Sequence, residues 1–138
     1  FDEGVGVPED NVAAIAWYTM AAEHGDPLAQ NNLGAMYDAG EGIPVDDKQA
    51  IKWYSLAADQ GNPVAQNNLG AMYYGGEGTR ENKLEAFKWF YIAAKLGNDD
   101  AGGNRDLAAE GMRKSQISKA TRLANKWLKA FEEASSGY

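Results

Sequence analysis

The sequence predicts an all-α solenoid in which stacked helix pairs share one continuous core and a last helix closes the row. Three observations predict it: the heptapeptide NNLGAMY stands at 31–37 and again at 67–73, the chain aligns with itself at an offset of 36 residues, and apolar residues recur at helical spacing. Because one such unit cannot bury its own apolar face, the units are expected to stack.

The 36-residue period relates positions throughout the first hundred residues. Tryptophan recurs at Trp17, Trp53 and Trp89, and all four prolines fall into two pairs that share a register. Residues that repeat in this way indicate a packing role. The predicted structural set is Leu33, Gly34, Tyr37, Trp53, Leu69, Gly70, Tyr73 and Trp89.

Each period begins with a first helix. Asp26 or Asn62 is a suitable N-cap, and the proline that follows fits the first helical turn. One apolar stripe then follows at helical spacing, and its members are Ala29, Leu33, Met36 and Tyr37. Gly34 lies at the edge of this stripe and is expected to allow a close approach of the neighbouring helix. A glycine-rich loop at 40–42, or at 76–78, ends the helix, because glycine tolerates positive φ.

A second helix completes each period. Asp46 with Gln49, and Asn82 with Glu85, predict a capping box at its start. Its predicted buried stripe consists of Ala50, Ile51, Tyr54, Ala57 and Ala58. Gly61, or Gly97 one period later, stands where a left-handed residue would end the helix.

The pattern decays after residue 98, where Arg105, Asp106 and Ala109 replace the repeated leucine, glycine and tyrosine. A different helix is then predicted at about 115–134. One face is apolar: Ile117, Ala120, Leu123, Ala124, Trp127, Leu128 and Phe131. The opposite face is basic: Lys119, Arg122, Lys126 and Lys129. An amphipathic helix of this kind suits the end of a helical array, so we interpret it as a C-terminal cap.

The other end of the chain departs from the pattern as well. Phe1 occupies the position of Tyr37, which corresponds to the end of a first helix. The second helix predicted at about 10–24 would lack its partner and would expose Ile15, Trp17 or Tyr18. We therefore expect further repeats upstream, or self-association through this truncated end.

The predicted organisation is one domain over residues 1–138. It consists of a partial repeat at 1–25, full repeats at 26–61 and 62–97, a degenerate half-repeat at 98–114 and the capping helix at 115–134.

Composition excludes several classes of function. The net charge of −7 argues against nonspecific binding to nucleic acid or to anionic membranes. The absence of cysteine excludes disulfides, thiol catalysis and thiolate metal sites. No apolar run approaches the length of about 18 residues that a membrane span requires. We expect no cofactor and no metal.

The repeat resembles a known family. AQNNLGAMYDAGEG (29–42) with DDKQAIKWYSLAADQG (46–61), and AQNNLGAMYYGGEG (65–78) with NKLEAFKWFYIAAKLG (82–97), resemble the Sel-one-like repeat, a relative of the tetratricopeptide repeat. The resemblance implies a right-handed superhelix of antiparallel helix pairs that serves as an adaptor or scaffold for protein–protein contacts. It also favours a bacterial protein in the periplasm or outside the cell, and leaves the partner open.

The candidates for chemistry are few, and no residue is predicted to be catalytic. His24 lies near a helix end and is interpreted as a surface histidine, because no base partner is apparent. The acidic pairs at 46–47 and 99–100 suit helix caps better than a metal site. The loop at 40–42 follows a helix and lacks a P-loop lysine. No nucleophile–lysine motif such as S-x-x-K supports β-lactam chemistry.

Helical angles predict a recognition surface on the first helices, which by resemblance line the concave face. Its predicted residues are Gln30, Asn31, Asp38, Gln66, Asn67 and Tyr74. Amides suit the backbone of an extended peptide, and an exposed tyrosine supplies contact area; a merely solvated face is the alternative. The asparagines that recur in register at the edge of the stripe (Asn32, Asn68 and Asn104) are expected to hydrogen-bond between units.

The sequence therefore predicts a non-enzymatic scaffold that binds a protein or an extended peptide. One alternative is a structural spacer within a larger protein, with no ligand of its own. A hydrolase acting on cell-wall or β-lactam substrates is a third. The basic stripe of the last helix is interpreted as a solvated cap face, or alternatively as a surface that meets an acidic partner, including another copy.

Overall fold

The computed structural model describes the backbone of residues 8–136 and the side chains of residues 12–136. Phe1 lies outside these ranges. The described chain forms seven α-helices and no strand: α1 Pro8–Glu23, α2 Pro27–Ala39, α3 Asp47–Asp59, α4 Pro63–Gly75, α5 Lys83–Lys95, α6 Ala101–Glu110 and α7 Lys114–Ser135.

The helices pack in sequence order, which confirms the predicted solenoid. The hairpins α2–α3 and α4–α5 each pack closely within one unit, and α3 packs on α4 to join the units. The first described helix, α1, rests on α2, while α5 contacts both α6 and α7. Neighbouring elements along the chain are thus neighbours in space, as in a row of stacked repeats.

The predicted first-helix caps are confirmed. The side chain of Asp26 accepts hydrogen bonds from the backbone N–H groups of Leu28 and Ala29. Asn62 does the same for Ala65 one unit later, and a proline occupies the first turn in both helices. Gly40 ends α2 at a φ of 74°, in the left-handed region, and its N–H donates to the Met36 carbonyl.

The predicted capping boxes form only their first bond. Asp46 accepts a hydrogen bond from the Gln49 N–H at 3.1 Å, as expected. The N–H of Asp46 itself donates across the hairpin to the Tyr37 carbonyl at 3.0 Å instead of to the Gln49 side chain. Asn82 and Tyr73 repeat this bond at 2.8 Å. The expectation was wrong because the end of the first helix supplies a backbone acceptor for this N–H; the Glu85 carboxylate pairs with Lys88 instead.

The second helices end as the glycines predict. Gly61 adopts a φ of 94°, and its N–H donates to the Ala58 carbonyl. The N–H of Asn62 donates to the Ala57 carbonyl, which completes a Schellman motif. Because Asn62 also caps the next helix, two residues end one helix and begin another, and this fixes the direction of the chain between units.

The core repeats with the period. Trp53 lies in one buried cluster with Ala29 and Leu33 of its own hairpin partner, α2, and with Ala22 of α1. Trp89 lies with Ala58, Ala65 and Leu69, which are the same three positions one unit later. The third tryptophan of the series, Trp17, is 60% exposed. Of the three residues expected to be uncovered on α1, Trp17 is exposed, while Ile15 and Tyr18 are half-buried.

The repeated glycine of the first helix makes room for an aromatic ring. A Cβ at Gly34 would lie 2.8 Å from Cδ1 of Tyr54, and one at Gly70 would lie 2.7 Å from Cε1 of Phe90. The close approach is therefore between the first helix and a ring of its own hairpin partner. The Tyr54 hydroxyl donates to Asp38 at 3.4 Å, and burial, with the Asp38 charge as a second cause, raises the pKa of Tyr54.

The degenerate third unit still forms its first helix, but with a different cap. Asn98 accepts hydrogen bonds from the backbone N–H groups of Asp100 and Ala101, both at 3.0 Å. The carboxylate of Asp100 makes no capping bond. The capping role predicted for the pair 99–100 is thus wrong. The cap is Asn98, which occupies the same position in the repeat as the caps Asp26 and Asn62.

The last helix, α7, turns the predicted apolar stripe toward the core: Ala120 and Ala124 are buried, and the larger residues of the stripe are half-buried. The Trp127 ring meets Trp89 edge-on at 5.7 Å between centroids and stacks on Phe131 at 5.0 Å. The four basic residues of the opposite face, Lys119, Arg122, Lys126 and Lys129, are exposed. The capping helix is therefore amphipathic in the sense that the sequence predicts.

The packing of the second helices changes the pKa of one carboxylate at a helix end, that of Asp59. Burial raises the pKa of Asp59, the last residue of α3, although the Lys88 ammonium on α5 lowers it in part. Lys88 is engaged at 3.1 Å with Glu85 on its own helix. Because Asp59 remains largely exposed to solvent, its ionised carboxylate destabilises the folded chain only slightly.

We expect Trp53→Ala to lower the free energy of unfolding by about 3–5 kcal/mol, since it opens a cavity among α1, α2 and α3. Trp17→Ala is the matched control, because Trp17 occupies the same position in the repeat but is exposed; its cost should stay below about 1 kcal/mol. Chemical denaturation measures both. Equal losses for the two variants would contradict the packing role of Trp53.

We expect Asp59→Asn to raise Tm at pH 7. A raised pKa in the folded state means that stability falls as the pH rises from the unfolded pKa through the folded one, so the gain should vanish below about pH 3.8. Glu133→Gln, an exposed change in the last turn of α7, controls for the helix dipole. Melting curves at pH 3 and pH 7 give the comparison. A gain that persists at pH 3 would show that the carboxylate is not its cause.

Candidate functional site

The first helices of the three units present one continuous surface, which we call the first-helix face. It is formed by partly buried or exposed residues of α2, α4 and α6: Asn31, Ala35, Asp38, Asn67, Asn68, Ala71, Tyr74, Asn104 and Leu107. Four of the six residues predicted for recognition belong to it. The other two, Gln30 and Gln66, do not.

Asparagine side chains link the first helices along this face. The Asn68 Nδ2 donates to Oδ1 of Asn31 at 3.1 Å, and the Asn104 Nδ2 donates to Oδ1 of Asn67 at 3.0 Å. These two bonds, the amide ladder, confirm the expected hydrogen bonds between units for Asn68 and Asn104. The third member of the predicted set, Asn32, is exposed.

The amide ladder also gives a structural role to residues that the sequence assigned to binding. Asn31 and Asn67 are the acceptors of the ladder, so each supports the neighbouring unit. Among the described residues, neither Nδ2 of Asn31 nor Oδ1 of Asn68 bonds to a side chain; the pair is joined by its other two groups. One donor and one acceptor of this pair therefore remain for a ligand.

The surface position expected for Gln30 and Gln66 is corrected. Both side chains are buried, and each donates from Nε2 to a carbonyl at the end of the preceding second helix, Ala22 at 3.1 Å and Ala58 at 3.0 Å. The long side chain folds back under the turn between units. The same carbonyls also accept a bond from the glycine N–H of the turn, at Gly25 and Gly61, so the glutamine supplies a second donor to each.

The two glutamines differ at their second polar atom. Gln30 Oε1 accepts a hydrogen bond from Gln60 Nε2 at 2.8 Å. In the next unit, Leu96 stands where Gln60 would be, and the buried Oε1 of Gln66 has no partner among the described residues. Gln66 therefore lacks the side-chain hydrogen bond that Gln30 receives from Gln60.

A small apolar cleft lies at the C-terminal part of the first-helix face. Its volume is about 110 Å³, and it is lined by Ala71, Tyr74, Phe90, Asn104 and Leu107. Tyr74 is partly exposed, with Lys83 Nζ 5.9 Å from its ring centroid. Leu107 is 52% exposed. Leu107 was not among the residues predicted for recognition, although it occupies the same position in the repeat as Ala35 and Ala71 and could have been placed on this face.

The remaining predicted candidates carry no evident chemistry. His24 is exposed, with its Nδ1 2.8 Å from the Met20 carbonyl of its own helix, as expected for a surface histidine. Among the described side chains, those of residues 12–136, no group of three or more histidine or acidic residues is placed to hold a metal ion. Among the described helices, none has the length and apolar character that would be needed to cross a bilayer.

The fold and the repeated packing define a class of helical solenoid proteins, and the sequence matches a family within it. The model of the Sel1 repeat matches residues 1–26, 27–62 and 63–98, and the chain belongs to this family. Sel1 repeat proteins are generally scaffolds for protein interactions. None of the curated proteins matches this chain.

Solved structures agree with this assignment. The chain is similar to c5321, a protective antigen of uropathogenic Escherichia coli strains that displays an SLR fold, with a TM-score of 0.88 and 29% identity over 96% of this chain. It spans 30% of the length of c5321. It is also similar to a Sel1 repeat protein from Oxalobacter formigenes, with a TM-score of 0.64 and 42% identity over 67% of this chain and 69% of that one.

We expect Asn68→Ala to cost about 0.5–1.5 kcal/mol more in unfolding free energy than Asn32→Ala, because only Asn68 bonds across units. The two residues occupy the same position in α4 and α2, so the gain in helix propensity cancels in the comparison. Urea denaturation of both variants measures the difference. If the two variants have the same stability, the amide ladder contributes nothing to the stacking.

Proposed function

We propose that this chain is a protein-interaction scaffold that binds an extended peptide along its first-helix face, taken as the concave face of the solenoid. The observation that supports this most directly is the amide ladder, which repeats polar groups at a fixed spacing along that face. The same proposal treats residues 1–138 as one solenoid domain with the repeat boundaries predicted from the sequence.

The spacing of the ladder suits an extended backbone. Packed helices lie about 8–10 Å apart, and an extended chain rises about 3.3 Å per residue. One ladder step therefore corresponds to about three residues of a bound peptide. The free Nδ2 and Oδ1 groups can pair with a peptide carbonyl and N–H, which are the groups common to every sequence.

The apolar cleft adds selectivity for a side chain. Tyr74 and Leu107 flank a depression beside the ladder, and both are exposed enough to lose water-accessible area on binding. A peptide whose backbone follows the amides would place one aliphatic side chain against these two residues. Aromatic and apolar anchors of this kind contribute much of the energy of an interface.

The alternative is a structural spacer within a longer protein. The exposed Trp17, at a position that is buried in the next two units, favours this alternative, because another unit could cover it. A spacer needs no ligand on the first-helix face. Substitutions on that face therefore distinguish the two functions, because they weaken binding by a scaffold but have no binding to weaken in a spacer. A measurement of stability alone does not distinguish them.

The test is selection of peptides from a random display library against the intact chain. We expect enriched peptides, and we expect Tyr74→Ala with Asn67→Ala to weaken their binding at least tenfold. Asn67 also accepts a ladder bond, so Leu107→Lys serves as a second variant that removes no hydrogen bond. Leu56→Lys places the same charge on the opposite side of the solenoid and should leave binding unchanged.

Fluorescence anisotropy with the selected peptides gives the affinities, and circular dichroism confirms that each variant is folded. If no peptide is enriched, or if selected peptides bind Leu107→Lys as tightly as the wild type, the scaffold proposal fails for this face and the spacer is favoured.

A further inference from the structure

The apolar cleft on the first-helix face has an equivalent position one unit earlier. The cleft is lined by Ala71, Tyr74, Phe90, Asn104 and Leu107. Subtraction of the 36-residue period gives the corresponding residues between α2 and α4: Ala35, Asp38, Tyr54, Asn68 and Ala71. We call this second group the acidic subsite. The amide ladder joins α2 to α4 and α4 to α6 in the same way, so the two positions lie one ladder step apart.

The repeat keeps the packing of the two positions and changes their chemistry. In each unit a glycine of the first helix leaves room for an aromatic ring, that of Tyr54 or that of Phe90. The hydroxyl of Tyr54 donates to the Asp38 carboxylate at 3.4 Å. Phe90 has no hydroxyl, and Tyr74 stands where Asp38 does. A negatively charged, hydrogen-bonded pair in one unit is thus replaced by an aromatic pair in the next.

The charge of Asp38 is accessible to a ligand. Asp38 is partly exposed, and it belongs to none of the ion pairs among the described residues. No lysine or arginine precedes Lys48 in the sequence, and Lys48 lies about 120° around the axis of α3 from Tyr54. Lys52 lies over the ring of Trp53, 4.7 Å from its centroid. The acidic subsite therefore holds a carboxylate that no described basic side chain pairs with.

The apolar cleft differs because a cation already lies at its edge. The Nζ of Lys83 is 5.9 Å from the ring centroid of Tyr74 and 3.4 Å from Oε2 of Glu81. A basic side chain of a ligand would meet this ammonium group at the cleft, whereas at Asp38 it would meet an opposite charge. The two positions therefore favour different side chains, a basic one at the acidic subsite and an aliphatic one in the apolar cleft.

The spacing of the two positions indicates the backbone conformation that reaches both. Packed helices lie about 8–10 Å apart. A polyproline II helix has three residues per turn and rises about 3.1 Å per residue, so side chains three residues apart share one side at a spacing of about 9 Å. In a β-strand, the side chains that share a face are two residues apart, at about 7 Å. The step between units thus matches one turn of polyproline II.

We propose that the first-helix face binds a proline-rich segment of a partner protein in the polyproline II conformation. A basic side chain of this segment pairs with Asp38, whose carboxylate the Tyr54 hydroxyl orients, and an aliphatic side chain three residues away packs on Tyr74 and Leu107. The backbone of polyproline II makes no internal hydrogen bonds, so its carbonyls remain for the ladder amides. This ligand class rests on the peptide-binding function proposed for the same face.

The probe is a fluorescein-labelled peptide, Ala-Pro-Arg-Pro-Ala-Leu-Pro-Ala, titrated with the intact protein and followed by anisotropy. A second peptide exchanges the arginine and the leucine, which presents the pair in the opposite chain direction, and the tighter binder of the two is used further. We expect saturable binding that weakens at least fivefold when the leucine is moved by one residue either way. Equal or tighter binding at a spacing of two residues would indicate a strand and would overturn the polyproline II conformation.

Asp38→Asn tests the acidic subsite, because it removes the charge and keeps an acceptor for Tyr54. It should weaken the arginine peptide at least fivefold and leave a peptide with glutamine in place of arginine unaffected. Asp38→Lys should restore tight binding to a peptide with glutamate at that position. Glu110→Gln is the matched control, since Glu110 is exposed and occupies the same position of the repeat in α6. If Glu110→Gln weakens the arginine peptide as much as Asp38→Asn does, the attraction is a general effect of charge and the acidic subsite is wrong.

Leu107→Lys separates this ligand class from the function on which it rests. It should weaken every peptide that binds the first-helix face, whatever stands at the arginine position. If peptides from the display library bind and lose affinity in Leu107→Lys, but the arginine–leucine probe does not bind at about 1 mM or binds Asp38→Asn equally well, the ligand class is wrong and the peptide-binding function stands. If neither the library peptides nor the probe bind, both fail. Circular dichroism confirms that each variant is folded.

Discussion

The structure depends on one contact that joins three helices: a tryptophan of each second helix packs with an alanine and a leucine of its own first helix and with an alanine of the second helix of the unit before. Trp53 with Ala22, Ala29 and Leu33, and Trp89 with the equivalent residues, are two copies of this contact. The burial of a large ring between small residues is what turns separate helix pairs into one core. Trp17, at the same position of the repeat, is 60% exposed.

The turns hold that contact at a constant geometry. Each second helix ends in a Schellman motif whose last residue caps the following first helix, and each first helix accepts a backbone bond from the start of its partner. Buried glutamines tie the same turns together from inside. Because these bonds repeat, the first helices lie at a regular spacing, and the amide ladder follows from that regularity. The same rigid spacing is what a surface needs if it is to bind an extended chain without first reorganising.

The end of the array shows how a solenoid stops. α6 keeps the position of a first helix, but α7 crosses the outside of α5 and covers surface that remains open on α3. The replacement of Gln60 by Leu96 removes a donor from the buried network and supplies an apolar contact for α7 in exchange. The unit next to α7 thus lacks the glutamine–glutamine hydrogen bond and has an apolar contact with α7 in its place.

The sequence by itself determined the period, the all-α class, the family, the helix ends and the amphipathic cap. These features depend on local preferences and on the 3.6-residue spacing, which Asp26, Gly61 and the stripe from Ala29 to Tyr37 express within a few residues. Only the tertiary structure decided which groups bond across helices. Gln30 is buried and not exposed, Asn31 pairs with Asn68, the Asp46 N–H turns to Tyr37, and Asn98 caps α6 in place of Asp100. The physical reason is that helical angle fixes the direction in which an α-carbon faces, but a polar side chain several bonds long bonds to whichever donor or acceptor of a neighbouring helix lies within its reach.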